Sequence, residues 1–264
     1  MWKITPLFAE WLCAPRNPLF ATGVLSAESA VLELGCGVSA ILGLVLAPRV
    51  ARYVLTDQPY VARFVEQNIA ANYHDHHHHH PHHHPPDRSR AGKARKAKGG
   101  GASSPSSSSA AAAAAAAETD QHLRFAPLDW ERDAVTASLA GAADDARRGF
   151  DVVVACDCIY NDALIDPLVS TCADVCRLGR QPPDGVVDDP PPCVCVVGQQ
   201  LRDSDIFEQW LVRFARDFRV WRVPDALLTE GLRSDSGFVV HVGILRNLGG
   251  EDAIKDIGYR ALLH

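Results

Sequence analysis

Short apolar runs alternate along the chain with stretches whose apolar residues recur every three or four positions. AVLELG (30–35) is apolar except for Glu33 and reads as a buried strand, and residues 38–47 follow as a helix that Pro48 stops. YVLTD (53–57) is a second strand. PYVARFVEQNIAANY (59–73) is a helix with Val61, Phe64, Val65, Asn68, Ile69 and Asn72 on i, i+3, i+4 spacing. LRFAPLDW (123–130) reads as a third, irregular strand. FDVVVACDCIY (150–160) is a fourth, apolar throughout as a central parallel strand is. Residues 162–178 form a helix, CVCVVGQQ (193–200) a fifth strand, and residues 203–216 a helix capped by Asp203 or Ser204. FRVWRV (218–223) and GFVVHVGILR (237–246) pair as an antiparallel edge. This alternation predicts an α/β fold: a mainly parallel sheet, a C-terminal antiparallel strand, and helices on both faces.

The pattern breaks at residues 74–118, which hold nine of the twelve histidines and an unbroken run of alanines from Ala110 to Ala117. This stretch has no aromatic, Val, Ile or Leu residue and cannot bury enough apolar surface to offset its ordering entropy. It is expected to be a disordered insertion, so that 1–73 and 119–264 make up one domain. Imidazoles bind transition metals, but clustered histidines without a fixed scaffold hold them loosely, and the run reads as a low-complexity loop. Its basic cluster, Arg88 to Lys98, reads as a solvated linker, with RNA or an import factor as the alternative partner. PPDGVVDDPPP (182–192) is a proline-rich acidic loop.

Composition narrows the classes. The 264 residues carry a formal net charge of −6, which argues against a general nucleic-acid or membrane-surface binder. No run of about 18 apolar residues occurs, so no membrane-spanning helix is predicted. The N-terminus lacks a basic stretch followed by an apolar run. The eight cysteines fall mostly in apolar segments and read as buried thiols of a cytoplasmic or nuclear protein. Cys156-x-Cys158 and Cys193-x-Cys195 each lie on one strand face, unlike the looped spacing of zinc ligands, so no metal site is expected.

The strongest local signal is VLELGCGVSA (31–40). A strand runs into Gly35-x-Gly37 and straight into a helix, where glycines allow a tight turn and a ligand's close approach, and the helix start offers free N–H groups. Asp57 ends the next strand, twenty residues after Gly37, where a carboxylate can accept from two ribose hydroxyls. The spacing to Ala40 also fits a dinucleotide fingerprint, which keeps an NAD-dependent oxidoreductase open. Glu33, a charge inside an apolar strand, needs a role. A second charge, Asp157, emerges at the tip of the fourth strand, three residues before Tyr160. Ligands of open α/β sheets bind at such tips, although an acid there also commonly caps the next helix.

WKITPLFAEW (2–11), LELGCG, LTD, Leu128-Asp129-Trp130 and ACDCIY (155–160) occur in one order over nearly the whole chain outside the insertion. Together they resemble the family-16 seven-strand protein-lysine methyltransferases that use S-adenosylmethionine (SAM), and above all the fungal branch acting on ribosomal proteins. The resemblance implies a class I methyltransferase fold with SAM as cofactor. It places Trp2 at the closing edge of the cofactor pocket, and Gly35, Cys36 and Gly37 around the methionine and ribose. Glu33 would organise that loop and the methionine moiety, and Asp57 would take the ribose hydroxyls. Trp130 would pack on the adenine and Asp129 accept from its amine, with Cys156 lining the pocket through its backbone. Asp157 and Tyr160 would be the catalytic pair, Asp157 orienting the incoming ammonium and Tyr160 bonding to the amine. The implied partner is a ribosomal protein, met by a monomer without direct nucleic-acid contact. The family's elements ahead of the tryptophan make this domain N-terminally short. A methyltransferase of another protein or of a small molecule, and a binding module without activity, are the remaining alternatives.

Overall fold

The computed structural model describes residues 2–73, 122–141, 149–178 and 191–246. The insertion expected at 74–118 lies outside the described residues, with its histidine run and basic cluster, as does nearly all of the loop expected at 182–192.

Before the first strand come two helices, α1 (Ile4–Cys13) and α2 (Pro18–Ala21), outside the strand–helix alternation read from the sequence. Then follow β1 (Ala30–Leu34), α3 (Ile41–Leu46), β2 (Arg52–Asp57), α4 (Ala62–Asn72) and β3 (Leu123–Pro127). The second half adds β4 (Val152–Cys156), α5 (Ile165–Arg177), β5 (Val194–Gln200), α6 (Ser204–Asp217), β6 (Phe218–Arg222) and β7 (Phe238–Leu245). Asp203 caps α6 by accepting from the amides of Asp205 and Ile206. The helix expected from residue 38 starts later, at Ile41, because Ala40 turns into the left-handed region at φ 49°.

The strands form one sheet in the order β3-β2-β1-β4-β5-β7-β6. Strands β1 to β5 are parallel, and β7 runs antiparallel to both β5 and β6. The expected edge pair is therefore real, but β7 slides between β5 and β6 rather than ending the sheet. This mixed seven-strand order, with its single reversed strand and helices on both faces, is the α/β architecture expected from the sequence.

Two apolar layers hold the helices to the sheet. On one face, Phe8, Trp11 and Leu12 of α1, with Leu42 and Leu46 of α3, pack on Val31, Tyr53, Val154 and Val196. On the other, Leu168 and Val169 of α5 and Trp210 and Phe214 of α6 cover Leu32, Val54, Val153 and Cys195. A central parallel strand is buried on both sides, and β1 and β4 are buried at every position. The amphipathic reading of α4 holds for Val61 and Val65, whereas Phe64 stands 55% exposed on the outer rim.

The order of strands reverses between β1 and β4. Chain leaving β1 crosses to β2 on one side, and chain leaving β3 crosses back to β4 on the other, so the two loops part and open a crevice at the carboxyl ends of these strands. Gly35 to Gly37 follow β1, Asp57 ends β2, Trp130 follows β3, and Asp157 follows β4. Asp57 and Asp157 therefore share one edge of the sheet.

Candidate active site

The glycine turn is held from below and from the side. The Cys36 amide donates to the Thr56 carbonyl at 3.0 Å, and the Thr56 hydroxyl donates to the Glu33 carbonyl at 2.7 Å. Gly35 sits at φ +69° and Gly37 at φ +61°, in the region that favours glycine. A methyl group on Gly35 would meet Cys158 Sγ at 2.7 Å and the Trp130 ring at 3.3 Å, so only glycine lets the turn close against them. Above Gly37 a methyl group would meet nothing within 4 Å. The turn is packed at its base and open at its top.

Asp57 locks this turn to the tip of β2. Its Oδ2 accepts from the Gly37 amide and its Oδ1 from the Gln58 amide, both at 2.7 Å. Each oxygen keeps a second lone pair, so a ribose diol can bind the same carboxylate. The Leu128 amide donates to the Asp57 carbonyl at 2.9 Å and ties β3's tip alongside. Next to it the Trp130 indole lies against the glycine turn with its Nε1 buried and unpartnered. A buried donor without an acceptor costs free energy, and a heteroaromatic ligand carrying ring nitrogens would satisfy it. Asp129 is committed to its own turn: Oδ1 accepts from the Glu131 amide at 3.0 Å and Oδ2 lies 3.9 Å from Arg132.

Glu33 lies beneath the loop, 2% exposed, and accepts from the Tyr53 hydroxyl at 2.8 Å. Burial pushes its carboxyl up to about 8, with Asp57 adding to the rise against the Tyr53 bond. It is therefore a mostly neutral acid at pH 7 that props the turn from the core. Cys156 is buried with its sulfur 3.8 Å from the Thr5 hydroxyl, which docks the start of α1 onto the tip of β4. Burial pushes the thiols of Cys36, Cys156 and Cys158 up, so all three are neutral packing groups. Among the described residues no group of three or more His, Cys, Asp or Glu is arranged to hold a metal ion.

Asp157 departs most from the role assigned to it. Its backbone takes φ +60°, fixed by its amide donating to the Gly198 carbonyl at 2.8 Å. Its carboxylate is 1% exposed and already paired. Arg202 Nη1 donates to Oδ1 at 3.0 Å, Arg202 Nη2 donates to Oδ2, and the Gln200 amide reaches Oδ1 at 3.2 Å. An open anion waiting for an ammonium would look different. Asp157 instead neutralises Arg202, since a buried carboxylate without a counterion would be costly. The guanidinium lies over the Trp2 ring at 4.8 Å, and Trp2 stacks on Tyr160 at 6.1 Å between centroids. Tyr160 is 55% exposed at the rim. Partial burial holds its hydroxyl above the usual range, with Cys158, Tyr60 and Asp57 close enough to add to the rise. It is a neutral hydrogen-bonding group at pH 7.

The structure thus brings Gly35, Gly37, Asp57 and Trp130 around one opening, with Trp2, Asp157 and Tyr160 at its β4 side. Arg202, Tyr53 and Thr5 have no counterpart in the sequence reading. Arg202 had a usable signal, because it follows the apolar run of β5 as Asp57 and Asp157 follow those of β2 and β4.

Residues 1–83 match the family described as lysine methyltransferase. Over 234 residues the chain is 27% identical to ribosomal lysine N-methyltransferase 5 of Zygosaccharomyces rouxii, covering 83% of this chain and 64% of that protein. It is 24% identical to the protein of the same name from Candida glabrata, covering 83% of this chain and 63% of that one. The chain thus spans just under two thirds of the length of these relatives. Among solved structures, the O-methyltransferase from Bacillus cereus in complex with SAH aligns over 92% of this chain and 83% of that one, with a TM-score of 0.45 and 11% identity. Residues 1–83 are thus similar to the lysine methyltransferase family, and the strand order of the sheet is the one the sequence resemblance leads one to expect.

Proposed function

We propose that this chain is a SAM-dependent protein-lysine N-methyltransferase whose substrate is a protein of the large ribosomal subunit, working as a cytoplasmic monomer. The observation that carries the cofactor assignment is the crevice itself. A carboxylate clamped to a glycine-turn amide stands beside open space and beside a buried indole N–H that lacks an acceptor. These are the needs of a nucleoside: a diol for Asp57, a flat purine for Trp130, and close backbone approach at Gly37. The family match of residues 1–83 and the relatives' names support lysine and the ribosome as acceptor. The net charge of −6 fits recognition of a basic protein without direct binding to nucleic acid or a membrane.

When bound, SAM supplies a sulfonium-activated methyl group. The chain's own residues do the rest. Asp57, Gly37 and Trp130 fix the nucleoside, and Glu33 with Tyr53 stiffens the turn from below. The acceptor must arrive as a neutral amine, yet free lysine, with a pKa near 10.4, is about 99.9% protonated at neutral pH. With Asp157 paired to Arg202, its carboxylate is not free to hold an ammonium, which favours loss of the proton to water. Tyr160 orients the amine through its hydroxyl, and proximity supplies much of the rate.

A thermal-shift titration tests the cofactor: SAM raises the melting temperature and NAD does not, because a ligand stabilises only the state that binds it. Asp57→Ala abolishes the SAM shift. A shift with NAD alone would turn the assignment to an oxidoreductase. Transfer of radiolabel from SAM to purified large ribosomal subunits tests the acceptor, and no transfer would leave only a cofactor-binding module.

A further inference from the structure

We propose that Arg202 is a positioning residue which, forked onto buried Asp157, holds the Trp2 ring against Tyr160, so that these two rings form the wall along which the acceptor side chain approaches. The wall's function rests on the lysine methyltransferase reading; its construction does not.

Trp2 stands ahead of α1, its carbonyl accepting from the Thr5 amide at 3.2 Å, and is 52% exposed, so its ring sits at the rim rather than in the core. What it touches is the Arg202 guanidinium at 4.8 Å and the Tyr160 ring at 6.1 Å and 29°. Arg202 is rigid for the opposite reason. It lies two residues past β5, its fork fits both oxygens of Asp157, and Asp157 is pinned through Gly198 and Gln200. A planar guanidinium can hold a carboxylate at its edge and an aromatic ring on its face at once, which an ammonium cannot. The arrangement thus carries order from the sheet to the rim. Trp2 and Tyr160 keep about half their surface open, and an aliphatic side chain ending in an amine fits against such faces. The cation that builds the wall is already neutralised by Asp157, so it need not repel a basic target.

The test uses the full chain labelled with 5-fluorotryptophan, whose Trp2 resonance is assigned with Trp2→Phe. Arg202→Lys keeps the charge beside Asp157 but loses the planar fork. The double variant Asp157→Asn, Arg202→Gln removes both charges together and leaves no buried ion unpaired. In both, the Trp2 signal moves toward that of a solvent-exposed indole while those of Trp11, Trp210 and Trp221 stay in place. An unmoved Trp2 signal in both overturns the proposal. With large ribosomal subunits as acceptor, Arg202→Lys raises KM for the subunits about tenfold, the scale of one partly desolvated cation–π contact. The SAM Kd and kcat stay near the parent values. A fall in kcat with unchanged acceptor KM would refute the wall. If the parent chain methylates nothing on the subunits, the functional reading fails, and the fluorine spectra still decide whether Arg202 holds Trp2.

Discussion

Gly35 and Gly37 lie two residues apart, both at positive φ, yet substitution by alanine should harm them in different ways. At either position alanine pays about 1–2 kcal/mol for left-handed backbone. At Gly35 its methyl also meets Cys158 Sγ at 2.7 Å and Trp130 at 3.3 Å. The Cys158 sulfur cannot swing away freely, because it donates to the Leu34 carbonyl at 3.2 Å and is 4% exposed. Overpacking of that kind costs about 1–3 kcal/mol. Gly35→Ala should therefore lose about 2–5 kcal/mol, on the order of 10 °C in Tm for a domain of this size. Gly37→Ala should lose only the backbone share of about 1–2 kcal/mol, since nothing lies within 4 Å. Its methyl would instead occupy the space proposed for SAM, and affinity should drop by tenfold or more. Urea denaturation and SAM titration of both variants measure the two effects separately. In a double-mutant cycle, Cys158→Ala should rescue Gly35→Ala by about 1–2 kcal/mol, within the range of coupled neighbours. A coupling near zero, or Gly37→Ala as the less stable variant, would refute this account of the turn.

Removing the buried acid should change pH dependence. The folded pKa of Glu33, about 8, lies above its ordinary value of 4.5, so its contribution is fully present below pH 4.5 and lost as pH rises through 8. Glu33→Gln should gain on the parent by on the order of 1 kcal/mol per pH unit across that window, measured by urea denaturation at several pH values; parallel curves would show that Glu33 ionises normally. His241 has the opposite sign. Burial among Phe207 and Trp210, aided by Arg222, lowers it to about 4, so its stabilising share is present above pH 6.5 and lost as pH falls through 4. His241→Gln should flatten the acid side of the stability curve, and an unchanged acid limb would show an imidazole that charges freely. Asp157→Ala leaves Arg202 without its counterion and should cost about 3 kcal/mol, the scale of a broken buried pair. Like Arg202→Lys it should raise the acceptor KM while the remaining folded protein binds SAM, and loss of SAM binding in equal measure would assign Asp157 to the cofactor instead.

The strand tips were readable because each marks a chemical discontinuity. Apolar runs stop at a glycine pair, at Asp57 and at Asp157, and a parallel sheet brings such ends to one edge. The pairing of Asp157 with Arg202 was hidden for a related reason. The partners are 45 residues apart, and only the hydrogen bonding of β4 to β5 makes them neighbours. Read alone, Asp157 looks like a free acid. α1 escaped notice although Ile4, Phe8, Trp11 and Leu12 fall on i, i+4, i+7, i+8 spacing and are buried, because it stands ahead of the first strand, outside the strand–helix alternation that organises the rest of the chain. Phe64 misled in the other direction, since helical spacing names a face without saying how wide its buried stripe is. The insertion of β7 between β5 and β6 is a matter of long-range pairing that local pattern cannot encode.

The central claim is most directly tested by supplying the full chain with SAM bearing a deuterated methyl group, together with purified large ribosomal subunits, and mapping the label by peptide mass spectrometry. The account predicts deuterated methyl on a lysine of one ribosomal protein, and none when Asp57→Ala replaces the parent chain. Label on ribosomal RNA, on a residue other than lysine, or equally with Asp57→Ala would contradict it.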